Sequence, residues 1–170
     1  MITVEEAFKR IANHINSTTK SVKKLVINAT GFVLSEDVYS PINMPPFRQS
    51  AMDGYALYLH NDVNYTLVGE VKAGDGHHPI IKSGEAVRIF TGSAVPDTAN
   101  TVIMQEKVTR DGDQLKVAHT VSVNENIRPL GEQIQKGELA LKKGTKLSPA
   151  AVGYLTTLGI AEVAVFSKPS

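Results

Sequence analysis

The chain contains no cysteine, which excludes disulfides, thiolate zinc sites and cysteine nucleophiles. That absence is compatible with a reducing compartment, and a cytoplasmic soluble protein is the expectation. No apolar run reaches the roughly 18 residues that a membrane-crossing helix needs. The opening residues, Met1-Ile2-Thr3-Val4-Glu5-Glu6, lack the basic and apolar regions of a signal peptide. Charge of one sign is scarce as well. A formal net charge of +1 argues against a nucleic-acid partner, because binders of nucleic acid carry a basic excess or stripe. Lys20, Lys23 and Lys24 form the densest basic group and read as a solvated loop. Phosphate and hydrolase fingerprints are also missing. There is no P-loop, no dinucleotide glycine pattern, no nucleophile elbow and no His-Glu-x-x-His.

What is present is globular. The 170 residues are 42% apolar and 21% charged, enough for one ordinary domain or two small ones. Thr3 and Glu6 form a capping-box pattern, and Val4, Ala7 or Phe8, Ile11 and Ile15 share one face of a predicted helix over 4–16. A short strand is predicted at 24–28, a helical turn at 30–34 and an extended stretch at 36–40 that Pro41 stops. The centre reads as β, with strands at 55–59, 65–71, 85–91 and 101–105 and a hairpin around Asp111-Gly112-Asp113. Ser148-Pro149 announces a helix to Leu158, closed by Gly159, and 161–166 is a closing strand. The fold class is therefore α+β and β-rich. A helix-containing discontinuous domain, 1–46 plus 137–170, is expected to carry an inserted β domain, 47–136.

Four segments bear chemistry. In Ser50-Ala51-Met52-Asp53-Gly54-Tyr55-Ala56 an acid precedes glycine, the residue that tolerates φ > 0. Pro45 and Pro46 stiffen the approach. Taken alone, Asp53 reads most simply as a turn residue bonded to its own backbone; a carboxylate displayed to a ligand is the sharper reading. In Thr91-Gly92-Ser93, successive N–H groups and two hydroxyls could cradle an oxyanion, though an ordinary strand exit is simpler. Arg128 and Glu132 suit phosphate recognition or a surface ion pair of little energetic weight. Glu106 follows an apolar strand. Residues adjacent in a strand, as His77-His78 would be, rarely chelate one ion together, because their side chains point to opposite faces; no histidine- or carboxylate-rich pattern completes a site, so no metal ligand is assigned.

Taken together, the segments are more specific. Met44-Pro-Pro-Phe-Arg-Gln-Ser-Ala-Met-Asp-Gly-Tyr-Ala56, Arg88-Ile-Phe-Thr-Gly-Ser-Ala-Val-Pro96 with Val102-Ile-Met-Gln-Glu106, and Asn126-Ile-Arg-Pro-Leu-Gly-Glu-Gln-Ile134 resemble, in order, the motifs of the molybdopterin molybdotransferase family. That family includes MoeA and the C-terminal part of gephyrin. The resemblance implies insertion of molybdate into adenylylated molybdopterin with release of AMP, Mg2+ as cofactor, and an elongated homodimer. Its cleft would lie between the inserted β domain of one subunit and a nucleotide-binding-like domain of the other. Molybdopterin adenylyltransferase would be the pathway partner. By position, the catalytic acid and threonine fall on Asp53 and Thr91, with Ser50, Gly92, Ser93, Arg128 and Glu132 as substrate contacts. Asp53 would orient water or hold a hydrated Mg2+.

Two departures stand out. Gln133 replaces a second acid of the third motif, and motifs of the later domains, where most Mg2+ and substrate contacts are expected, are absent. Lys168-Pro169-Ser170 resembles the start of the next junction. The expectation is an N-terminal fragment, inactive by itself. The alternative is a non-enzymatic dimerisation or scaffolding module of the same fold.

Overall fold

The computed structural model describes residues 2–14, 20–76, 79–118 and 121–168. Its elements, in chain order, begin with α1 (Val4–His14), β1 (Ser21–Leu25), a 3-10 turn (Val26–Asn28) and β2 (Val38–Tyr39). They continue through β3 (Gln49–Ser50), β4 (Gly54–Leu57), β5 (Asn64–Val71), β6 (Glu85–Ile89) and β7 (Thr101–Met104). A second 3-10 turn (Gln105–Lys107) leads into β8 (Val108–Asp111), β9 (Gln114–Val117) and β10 (Ile127–Arg128), then β11 (Leu139–Leu141), α2 (Pro149–Thr157) and β12 (Glu162–Phe166). These elements gather into two compact units, Met1–Pro41 with Gly137–Ser170, and Ile42–Lys136.

In the first unit β1 and β12 pair antiparallel from Ser21 opposite Phe166 to Leu25 opposite Glu162, and β2 pairs with β11. Val163 and Val165, alternate residues of β12, enter a core with Val26, Leu34, Leu147 and Leu155. Each such side chain contributes about 1.5–3 kcal/mol by burial. Helix α2 forms as its sequence demands. Ser148 Oγ accepts the Ala151 N–H at 3.1 Å, and Pro149 occupies the first turn, where no N–H is needed. Helix α1 has its cap too, Glu6 N–H to Thr3 Oγ1 at 3.2 Å, and a Glu6–Arg10 ion pair at 2.9 Å. Yet none of its residues is buried, and Val4, Phe8 and Ile11 stand exposed. Residues 15 and 16 of the predicted helix lie outside the described residues.

The 24–34 segment differs from expectation. The strand begins earlier, at Ser21, because its partner is the apolar β12, and residues 26–28 wind into a 3-10 turn. No helical turn forms at 30–34. Leu34 is fully buried, and it is drawn into a bridge with Val165 while Val33 bridges Lys146. Tertiary burial wins over local turn preference here.

The second unit holds the antiparallel β3–β10 pair and a six-stranded mixed sheet in the order β7-β4-β6-β5-β9-β8, parallel only between β5 and β6. Its two outermost strands, β7 and β8, are joined by just the Gln105–Lys107 turn. The sheet must therefore roll until its ends meet. Every residue of β4 is buried, with Tyr55 and Leu57 packing into one apolar layer and Ala56 into the other. The Asp111–Gln114 hairpin forms as read. Among the described residues, no helix is long and apolar enough to cross a membrane.

Candidate functional site

Asp53 immediately precedes β4, the second strand of the rolled sheet. Gly54 lies opposite both Ile89 of β6 and Met104 of β7. A Cβ at Gly54 would overlap the Ile103 carbonyl oxygen. The glycine after the acid is thus required by close approach of two backbones. Gly92, by contrast, is in the left-handed region, at φ 88°, where the chain leaves β6 and turns Thr91 toward Asp53.

Thr91 grips the acid twice. Its N–H and its Oγ1 both donate to Asp53 Oδ1, each at 2.7 Å. The Asp53 main-chain carbonyl accepts the Gln105 N–H at 3.2 Å. The simpler reading of Asp53, a bond to its own turn, is therefore not what forms: its carboxylate reaches across 38 residues of sequence. The two Thr91 donors, main-chain first and hydroxyl second, hold the Asp53 carboxyl below its ordinary 3.8, and the Arg88 charge adds a smaller push that slight desolvation opposes. Asp53 is an exposed, ionised carboxylate at neutral pH, with Oδ2 free of protein donors among the described residues.

The loop beneath is built on Ser50. Its N–H donates to the Ser93 carbonyl and its carbonyl accepts from Gly92 N–H, both at 2.9 Å. Its hydroxyl donates to Met52 O at 2.7 Å. Ser50 and Ser93 are both 0% exposed, so they shape the loop from below and present no hydroxyl to a ligand. The oxyanion cradle expected at 91–93 is corrected likewise. The Thr91 N–H serves Asp53, Gly92 N–H serves Ser50 and Ser93 N–H serves Phe90. Backbone donors must be satisfied first, and all three are committed within the protein: one to the Asp53 side chain, one to the Ser50 ladder and one to the Phe90 turn.

Arg128 sits on β10 opposite Gln49, with Ile127 opposite Ser50, so the ladder brings it beside the same loop. Glu132 lies in a turn that Gly131 N–H to Pro45 O and Gln133 N–H to Met44 O, both 2.9 Å, fasten to the proline segment. Arg128, Glu132 and Gln133 are exposed, and neither charged side chain has an ion-pair partner among the described residues. Glu106 accepts from Gln105 Nε2 at 3.1 Å. His77 and His78 lie outside the described residues. The described residues hold no group of three His, Asp or Glu side chains able to bind a metal. One free carboxylate oxygen on Asp53 still suits Mg2+ as a single ligand, since that ion keeps water and phosphate oxygens for most of its shell.

The chain matches known proteins over nearly its whole length. The family model for the MoeA N-terminal region, domains I and II, covers residues 2–159. The chain belongs to the MoeA N-terminal family. Among MoeA relatives, the molybdopterin molybdenumtransferase of Haemophilus influenzae is 35% identical over 99% of this chain and 43% of its own length. The Staphylococcus aureus protein of the same name is 32% identical over 99% and 42%. The crystal structure of the molybdopterin biosynthesis moeA protein from Pyrococcus horikoshii OT3 superposes with a TM-score of 0.90 at 37% identity, covering 99% of this chain and 47% of that one. The β-rich fold with its curled mixed sheet is thus the MoeA N-terminal fold, and the family places the chain in molybdenum cofactor biosynthesis. The chain spans less than half the length of each of these MoeA relatives.

Sequence reasoning missed Arg88. Its guanidinium donates to the Gly54 carbonyl at 2.8 Å and to Gln105 Oε1, and it lies over the rings of Tyr55 and Phe90 at 5.3 and 4.9 Å. The signal was present. An arginine in the otherwise apolar run Ala86-Val87-Arg88-Ile89 needs partners when half-buried.

Proposed function

We propose that this chain supplies one wall of a site that inserts molybdate into adenylylated molybdopterin and releases AMP, with Asp53 as its acid. The observation that carries the reading is the ionised Asp53 carboxylate fixed by Thr91 on a family-matched loop. Molybdate and pyrophosphate are both anionic, so an ionised carboxylate does not bind them directly. Asp53 Oδ2 instead accepts a hydrogen bond from water and orients it. Mg2+, held there in part, would neutralise charge on the pyrophosphate oxygens. Thr91 has its hydroxyl proton committed to Asp53 and acts through it. Arg128 supplies an exposed guanidinium suited to a phosphate, with Glu132 and Gly92 at the rim. A homodimer, as the resemblance implies, belongs to the same proposal, and the exposed apolar stripe of α1 offers surface for a second copy. Sedimentation equilibrium of Phe8→Glu against wild type tests it; identical monomeric behaviour of both overturns it.

Asp53→Asn is the decisive variant. Asparagine keeps one oxygen for the Thr91 donors and replaces the free, charged acceptor Oδ2 with a neutral NH2 donor. In a fusion of these residues to the C-terminal part of the H. influenzae relative, AMP release should fall by about a hundredfold or more with unchanged folding. Wild-type turnover would overturn the assignment. The 170 residues alone should release no AMP, and detected release would refute the one-wall reading.

A further inference from the structure

Thr91 fixes the Asp53 carboxylate, but something must fix the backbone that carries it, because an exposed acid at the mouth of a strand has no core of its own. Two carbonyls flank the turn. The Asp53 carbonyl accepts the Gln105 N–H at 3.2 Å. The Gly54 carbonyl accepts Arg88 Nη1 at 2.8 Å. The same guanidinium donates through Nη2 to Gln105 Oε1, and the amide of Gln105 is fixed in turn by Glu106 Oε1 at 3.1 Å. The guanidinium also lies within cation–π reach of the Tyr55 and Phe90 rings. Arg88 and Gln105 lie on β6 and on the turn after β7, yet they meet at the two successive peptides that follow the acid.

We propose that Arg88 and Gln105 are positioning residues for Asp53: a Glu106–Gln105–Arg88 side-chain relay holds the Gly54 carbonyl while the Gln105 main-chain N–H holds that of Asp53, so that the carboxylate meets Thr91. Arginine is required for its shape. Its fork serves two acceptors at a fixed angle, and a lysine delivers one point charge to one of them. The consequence for turnover rests on the function proposed above; the positioning itself does not.

The test uses amide hydrogen exchange and proton chemical shifts in the 170-residue chain. Arg88→Met and Gln105→Leu should each speed exchange of the Thr91 amide roughly three- to tenfold, the loss expected when one hydrogen bond is loosened. Its downfield shift should move upfield. Arg88→Lys should not restore wild-type values. The amides of Gly92 and Val95, which donate to Ser50 and Arg48 carbonyls in the same ladder, should stay as they were. A merely structural role would move all three together, and that result overturns the proposal. So does an unchanged Thr91 amide in the folded variants. Gln105 is exposed, so its variant carries the test if Arg88→Met does not fold. Normal positioning with lost AMP release in Asp53→Asn, or the reverse, separates this proposal from the functional reading.

Discussion

At the scale of single residues, Thr91 and Asp53 form a charge-assisted pair whose two halves can be pulled apart. Thr91→Val keeps the branched shape and the main-chain donor and removes the hydroxyl donor. The Asp53 carboxyl should then move up toward its ordinary value, checked by carbon-detected NMR titration. Because its folded value is depressed, Asp53 contributes stability that is present above the ordinary carboxylate range and lost as pH falls through the folded value. Glu125 has the same sign, depressed by the Ser122 N–H first and by Lys107 next. Glu125→Gln should therefore flatten the acid limb of the stability curve, read by denaturant midpoints between neutral and acid pH. Asp53 and Thr91 were legible in the sequence because acids and hydroxyls beside glycine advertise chemistry. Their direct contact was not legible, since neither segment contains the other's partner. Arg88 showed itself only as a charge inside an apolar run; its partners, a carbonyl, an amide and two ring faces, leave no sequence pattern of their own.

At the scale of elements, two strand glycines make opposite demands. Gly54→Ala forces a methyl into the Ile103 carbonyl at the middle of the sheet and should cost about 2–3 kcal/mol. Gly69 on β5 meets only a Val87 methyl at 4.0 Å, so Gly69→Ala should stay within about 0.5 kcal/mol. Urea unfolding of the pair checks both. Ser148→Ala removes the α2 cap and should cost about 1 kcal/mol, read by thermal unfolding. Helix α2 and the Asp111–Gln114 hairpin were fully legible, because caps and turn residues act locally. The 21–34 region was not. Its strand start and its bridges at Val33 and Leu34 are set by Val165 and Lys146, far along the chain. Nor could periodicity reveal that the apolar face of α1 stays uncovered within these residues.

At the scale of the whole molecule, the chain crosses between its two units at Pro41–Ile42 and again at Lys136–Gly137. Those crossings are tied side by side. Gly137 N–H donates to Ser40 O at 2.8 Å within the first unit, and Lys136 N–H to Asn43 Oδ1 at 2.9 Å within the second. Chain ends held this close let a short turn replace what lies between them. Exchanging 42–136 for a two-residue turn should leave the β1–β12 pair, α2 and their core folded, with amide spectra showing Val163 and Leu155 in place; collapse of those signals would contradict the division. The Gln105–Lys107 turn obeys a different logic. It joins the two ends of the rolled sheet and also supplies the N–H that holds the Asp53 carbonyl. One inserted residue there would spread the sheet and release the acid in the same step. Added length is better tolerated at the Asp111–Gln114 tip, which joins only the neighbouring strands β8 and β9 and touches neither the seam nor the acid.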